Sequence, residues 1–433
     1  MPSLQDKSSN QQVLPYKSQF ALLLIMAIYG LFLYNQTQFD AKTIYGALFI
    51  QLVFLLQKKR RNLLLIFVPL NLYACGPLIA FQVLGINKYP YPSLDVLLKV
   101  AYMQVFSTYI ALFLSVLFGI DNKIRRLIQN VNKENCLNGI SIFLPLTMLS
   151  IAVFNLIFHL EIIMNFANLQ RHDIFQSLNF VAGPLGIAFG QVASLGSTLL
   201  AVLSQKLIIR LICISGLTLY WGPILLSGSR QYFLVFAISA VILLSALKIM
   251  SRSIKVVFIS IVVLFILMVQ VVFGYSGSLS YNEFIFPSQF MIQIFAKNLN
   301  PDGIHATSVF ESWVLLLPGF LREEIQNSWT DIVGMLTPLQ IGVGGSPWIE
   351  WINPSFNLWI VSSAFSIFLT VYFMLSMSAV NSIAAINLYC LTTVIGRTFF
   401  WNTIVISIGV YTISKVANFL ARKSGSIMKA PIV

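Results

Sequence analysis

Arg230 and Arg397 are the residues whose type and setting suggest chemistry. Arg230 follows Ser227-Gly228-Ser229 between two apolar runs, 211–226 and 232–247, with almost no room for a loop. An arginine there is costly in a bilayer unless it reaches the surface or meets an anion. The serines and glycine favour a helix start, so the second run is expected to open here. Its first N–H groups and Arg230 would then face the same way, a combination that binds phosphate-like anions. Arg397 repeats the pattern in Gly396-Arg397, again between two apolar runs. The guanidinium gives permanent, bidentate recognition of phosphate. The alternative for each is an arginine that snorkels to the headgroups. Two on one face make that alternative harder to sustain, and Arg171 and Arg322 join them there.

Carboxylates gather in the same part of the chain. Glu311, Glu323, Glu324, Asp331 and Glu350 lie in one long stretch with His305. Any of them could serve as general base towards a hydroxyl; the alternative is a set of solvated charges and partners for Arg322. His172 and His305 have no partner at ligand spacing for zinc. The chain has no Walker loop, dinucleotide fingerprint, Gly-x-Ser-x-Gly elbow or Asp-x-Asp pair. No cofactor and no metal are expected.

The elements that must position these residues are membrane helices. Of 433 residues, 58% are hydrophobic and 9% charged, and the apolar runs are long enough to cross a bilayer. The expectation is an all-α polytopic membrane protein, a single transmembrane domain over 1–433. Twelve spans are expected near 18–36, 43–56, 63–84, 96–119, 138–158, 178–203, 207–226, 231–247, 256–273, 356–377, 382–396 and 398–416. The first follows a polar start without a small-residue cleavage site, and so reads as an anchor.

Lys58 to Arg61, Lys123 with Arg125 and Arg126, Lys206 with Arg210, Lys248 with Arg252 and Lys255, and Arg422-Lys423 all fall on one side of this plan. The positive-inside rule makes that side cytoplasmic, with both termini. It carries 19 of the 27 Lys and Arg but 3 of the 14 Asp and Glu. The net charge of +13 is therefore topological and does not indicate a nucleic-acid partner. Four scattered cysteines have neither metal-ligand spacing nor a disulfide framework.

The stretch 274–354 is far longer than a simple connection and is expected to form one large outward loop. Within it, Asn298 to Gly303 reads as a turn. Phe290 to Ala296 and Val309 to Leu317 read as short interfacial helices. Trp313, Trp329, Trp348 and Trp351 suit that depth. The spans themselves are nearly free of ionisable residues, whereas coupled transporters carry them near the midplane. That pattern favours chemistry at the outer surface over passage through the middle.

In this order of motifs the chain resembles the Wzy-type O-antigen and capsule repeat-unit polymerases. The carrying residues are the Arg171 segment and Leu226-Ser227-Gly228-Ser229-Arg230-Gln231-Tyr232-Phe233-Leu234. They continue with Leu316-Leu317-Pro318-Gly319-Phe320, then Gly342 to Asn353, and end with Gly396-Arg397. The sequence departs from the pattern at Pro354-Ser355, where a Phe-Gly or similar pair is expected.

The resemblance implies a bacterial inner-membrane enzyme working on the periplasmic side. It would join undecaprenyl-pyrophosphate-linked oligosaccharides into polymer, with membrane lipid and a chain-length regulator as partners. Arg230 and Arg397 would then bind pyrophosphate, with Arg171 and Arg322 as further candidates. Glu324, Glu350 or His305 would deprotonate the acceptor. Two other functions stay open at this point: an O-antigen ligase delivering glycan to lipid A core, and a polysaccharide flippase or other transporter.

Overall fold

A computed structural model of the chain describes residues 24, 27–30, 40–57, 60–82, 93–131, 142–158, 184–226, 230–251, 260, 291, 292, 295, 347, 348, 355–397 and 400–423. Among these residues there is no strand. In order, the α-helices are α1 (Ala41–Leu56), α2 (Leu64–Gln82), α3 (Leu94–Leu117), α4 (Ile120–Gln129), α5 (Phe143–Phe158), α6 (Pro184–Leu203), α7 (Leu207–Leu226), α8 (Arg230–Ala246), α9 (Phe356–Ser376), α10 (Ser382–Leu391) and α11 (Phe400–Lys423). Short 3-10 turns at Arg61–Leu63, Met377–Val380 and Thr392–Arg397 join or extend them.

This is a membrane protein by its surface as well as by its helices. Six described helices are long and apolar enough to cross a bilayer, and four more are apolar but shorter. Phe49, Phe154, Ile157, Leu207 and Phe419 are exposed, while Gln51, Gln104, Gln191 and Asn387 are fully buried. Apolar side chains outside and amides inside suit a hydrocarbon solvent. Helices suit it because each satisfies its own backbone N–H and C=O groups.

Ten of the twelve expected spans fall on described apolar helices. Those at 18–36 and 256–273 lie almost wholly outside the described residues, as do both termini and most of the expected large loop.

Two local differences from the sequence expectation have physical causes. The segment after α3 is not a plain connection but the helix α4, with Ile120 and Ile124 buried four residues apart. It is too short and too charged for a hydropathy reading to find. Gly119, at φ 67, supplies the left-handed turn between α3 and α4. The expected span 382–396 is broken: α10 stops at Leu391 and a 3-10 turn continues to Arg397. Thr392-Thr393-Val394-Ile395 is a β-branched run that crowds an α-helix. Thr393 Oγ1 donates to Cys390 O at 2.8 Å and Thr392 Oγ1 to Tyr389 O, three residues back in each case.

Pairwise contacts fix the directions of the helices. Tyr45 OH donates to Gln82 Oε1 at 2.8 Å, so the start of α1 meets the end of α2. Tyr102 pairs with Phe356 and Phe118 with Phe368, so α3 and α9 run parallel. Tyr220 OH donates to Gly186 O at 2.7 Å, bringing the end of α7 to the start of α6. Asn381 Nδ2 donates to Asn418 Oδ1 at 3.0 Å, setting α10 antiparallel to α11.

Candidate functional site

Arg230 is the first residue of α8, as the Ser-Gly-Ser stretch before it predicts, and three residues separate it from the end of α7. Arg397 is the last residue of the 3-10 turn that carries α10 onward. That turn packs on α8, α2 and α9. Arg171, Arg322, His305, Glu324 and Glu350 lie outside the described residues, as do Ser227, Gly228 and Ser229.

The two arginine-bearing elements are tied together through one buried amide. Gln191 Nε2 donates to Tyr232 O at 2.6 Å, in the first turn of α8. Gln191 Oε1 accepts from Asn387 Nδ2 at 2.8 Å, in α10. Both amides are fully buried. A fully buried amide is costly unless bonded, so this arrangement holds α8, α6 and α10 in one register.

Gly396 makes the close approach beside Arg397 possible. A Cβ there would lie 2.6 Å from Tyr73 Cδ2 and 3.2 Å from Leu70 Cδ2, so only glycine lets the turn pack this tightly on α2. Tyr389 OH donates to Asn62 O at 2.7 Å, tying the last turn of α10 to the 3-10 turn that precedes α2.

An aromatic cluster with one cation lies where α3 and α9 begin. Phe295 stacks on Trp359 with centroids 5.5 Å apart and meets Phe356 at 6.3 Å. Lys99 Nζ lies 4.6 Å from the Phe295 ring centroid and 5.5 Å from that of Phe356. Such placement stabilises the ammonium through the ring quadrupoles. Beneath it, Trp348 is fully buried, its Nε1 donating to Ser107 Oγ at 2.8 Å. Trp359 Nε1 in turn donates to Trp348 O at 2.7 Å.

The expectation of an interfacial Trp348 is thus corrected: the indole fills a polar notch in α3, where its N–H finds a hydroxyl partner. The expected interfacial helix at Phe290 to Ala296 is corrected in part. Met291, Ile292 and Phe295 are helical, and Met291 and Ile292 are buried against protein. The segment 309–317 and Trp313, Trp329 and Trp351 lie outside the described residues.

Lys99 is the cation that the sequence reading missed. The sequence carries a signal for it: Ser93 and Asp95 mark a helix start with Lys99 one turn on, and in the structure Ser93 Oγ accepts from Val96 N at 3.3 Å. A lone lysine at the edge of an apolar run reads as a snorkelling residue, which hides it. Among the described residues no three of His, Cys, Asp and Glu stand together to hold a metal ion.

The class defined by this fold is an all-helical integral membrane protein with cationic residues at the ends of its helices. Comparison with family models, curated proteins and solved structures finds no match for the chain.

Proposed function

We propose that the chain is a membrane glycosyltransferase that polymerises undecaprenyl-pyrophosphate-linked oligosaccharide repeat units at the periplasmic face of the bacterial inner membrane, yielding O-antigen or capsular polysaccharide. The observation that carries this reading is the Gln191 bridge. It joins the helix that Arg230 opens to the helix whose extension ends at Arg397. A lipid pyrophosphate presents its anion at the membrane surface, where helix-terminal arginines are suited to receive it.

The reaction breaks the bond between the donor sugar's anomeric carbon and its pyrophosphate oxygen. The acceptor hydroxyl oxygen bonds to that carbon, its proton passes to a base, and undecaprenyl pyrophosphate leaves. Negative charge grows on the departing phosphate, and Arg230 and Arg397 offset it, with Arg171 and Arg322 in support. The base is Glu324, Glu350 or His305.

The test is reconstitution in proteoliposomes with lipid-linked repeat units and EDTA. A ladder of lengthening chains is expected. Unchanged single repeats that lengthen only after magnesium or manganese is restored would overturn the arginine-only account and make Glu323, Glu324 and Asp331 ligand candidates. Product formed only when lipid A core is supplied would identify a ligase instead. A cysteine at Asn300 should label from outside the intact cell membrane and one at Lys59 should not; the reverse would refute the periplasmic site.

A further inference from the structure

The helix α4 has an architecture that neither a span nor a connecting loop requires. Ile120 and Ile124 are fully buried, and Leu127 and Ile128 pack against the same core. The helix rests on α3, α9, α10 and the turn Arg61–Leu63. Its other face carries Lys123, Arg125 and Arg126, and Arg60 and Arg61 lie on the turn beside it. Asp121 is the one acid at this end among the described residues, and Arg125 Nη2 bonds its Oδ2 at 3.1 Å. Five cations thus stand at this end of the fold against one carboxylate among the described residues.

The depth of this patch is set by its neighbours. Leu117 and Phe118, the last residues before the Gly119 turn, are 59% and 55% exposed. Exposed apolar side chains at the end of a 24-residue span belong against acyl chains. The basic helix begins two residues later and so lies at the level of the headgroups. Lys123 Nζ stands 3.7 Å from the Tyr372 ring centroid, and Arg60 Cζ lies 5.0 Å from that of Phe54. These contacts hold two of the cations in place without neutralising them. Arg61 and Arg126 remain exposed.

We infer that α4 and the adjoining Arg60–Arg61 turn form a binding surface for anionic phospholipid headgroups such as that of phosphatidylglycerol. Charge complementarity favours a phosphodiester, and the acyl chains would lie along exposed Leu117 and Phe118. Each surface Lys or Arg adds about fivefold to the attraction of anionic lipid, falling off within a Debye length. This assignment rests on the membrane fold alone and stands whether or not the chain is a polymerase.

The experiment uses the full chain in nanodiscs of phosphatidylcholine doped with spin-labelled phosphatidylglycerol or spin-labelled phosphatidylcholine. Motionally restricted phosphatidylglycerol should exceed phosphatidylcholine. The Arg61→Gln/Arg126→Gln variant should lose about tenfold or more of that preference, while Arg61→Lys/Arg126→Lys should retain it. Both positions are exposed, and an unchanged melting temperature in detergent will show that the variants fold. Equal restriction of the two lipids, or a preference untouched in the glutamine variant, would overturn the assignment. So would full displacement of the restricted lipid by millimolar inorganic phosphate, which would mark a site for a soluble anion.

Discussion

Asn387 Nδ2 donates to Gln191 Oε1 at 2.8 Å, joining α10 to α6 across 196 residues of sequence. Because the same glutamine donates to Tyr232 O, the geometry at the start of α8 depends on a residue in a distant helix. A membrane interior rewards such a bond modestly, by about 0.6 kcal/mol on average and up to roughly 1.7 kcal/mol. Its value here lies in register more than in strength.

Asn387→Leu should therefore cost about 1–3 kcal/mol, since it leaves a buried amide oxygen of Gln191 unsatisfied. Adding Gln191→Leu should cost less than the sum of the single changes, because both orphaned groups disappear together. Thermal unfolding of the four proteins in detergent gives the coupling.

Trp348→Ala should be among the most damaging single changes, about 3–5 kcal/mol, since it empties a fully buried indole site. Trp348→Phe keeps most of the volume and loses the bond to Ser107. It should match Ser107→Ala to within about 1 kcal/mol, with little further loss in the double variant.

Gly396→Ala should destabilise by about 1–3 kcal/mol through the collision with Tyr73. Tyr73→Ala made in the same chain should recover part of that loss. Additive effects in the double variant would mean that the two residues do not press on each other.

Asp121 titrates above its ordinary value, chiefly because burial penalises its charge, with Arg125, Arg60 and Asn62 opposing that rise. A carboxyl whose folded pKa is raised contributes its stability below the unfolded pKa and loses it as pH climbs through the folded one. The stability of the protein relative to Asp121→Asn should thus fall as pH rises from the ordinary carboxylate range upward. Arg60, Arg125 and Tyr389 face the same carboxylate and are common to both proteins. A relative stability that rises over that window would refute the assignment.

Arg230→Lys should lower polymerisation roughly ten- to a hundredfold, since lysine keeps the charge but loses the bidentate fork. Arg230→Ala should be worse, and Arg397 should follow the same order. Lysine snorkels as well as arginine, so full-length product from Arg230→Lys would return the residue to a purely anchoring role. Chain-length ladders, measured at equal membrane protein levels, separate the two.

The sequence alone determined that the chain is helical and built for a membrane, where most helices start and stop, and that Arg230 opens one of them. Those features follow from local sums: apolar run length, Ser and Gly before a helix, and backbone groups that can be satisfied only within their own segment. A search for apolar runs passes over α4, because its 10 residues carry too much charge to register as apolar, although Ile120, Ile124, Leu127 and Ile128 stand at helical spacing. Nor does such a search show that the run to Arg397 leaves the α-helix at Thr392, where hydroxyl bonds and β-branched crowding outweigh the apolar signal. Only the tertiary structure decided that Trp348 is buried on Ser107, 241 residues away, and that Gln191 links α8 to α10. In a bilayer every apolar face is equally content with lipid, so hydrophobicity cannot choose neighbours. Small residues that allow close approach and buried polar groups that need partners make that choice.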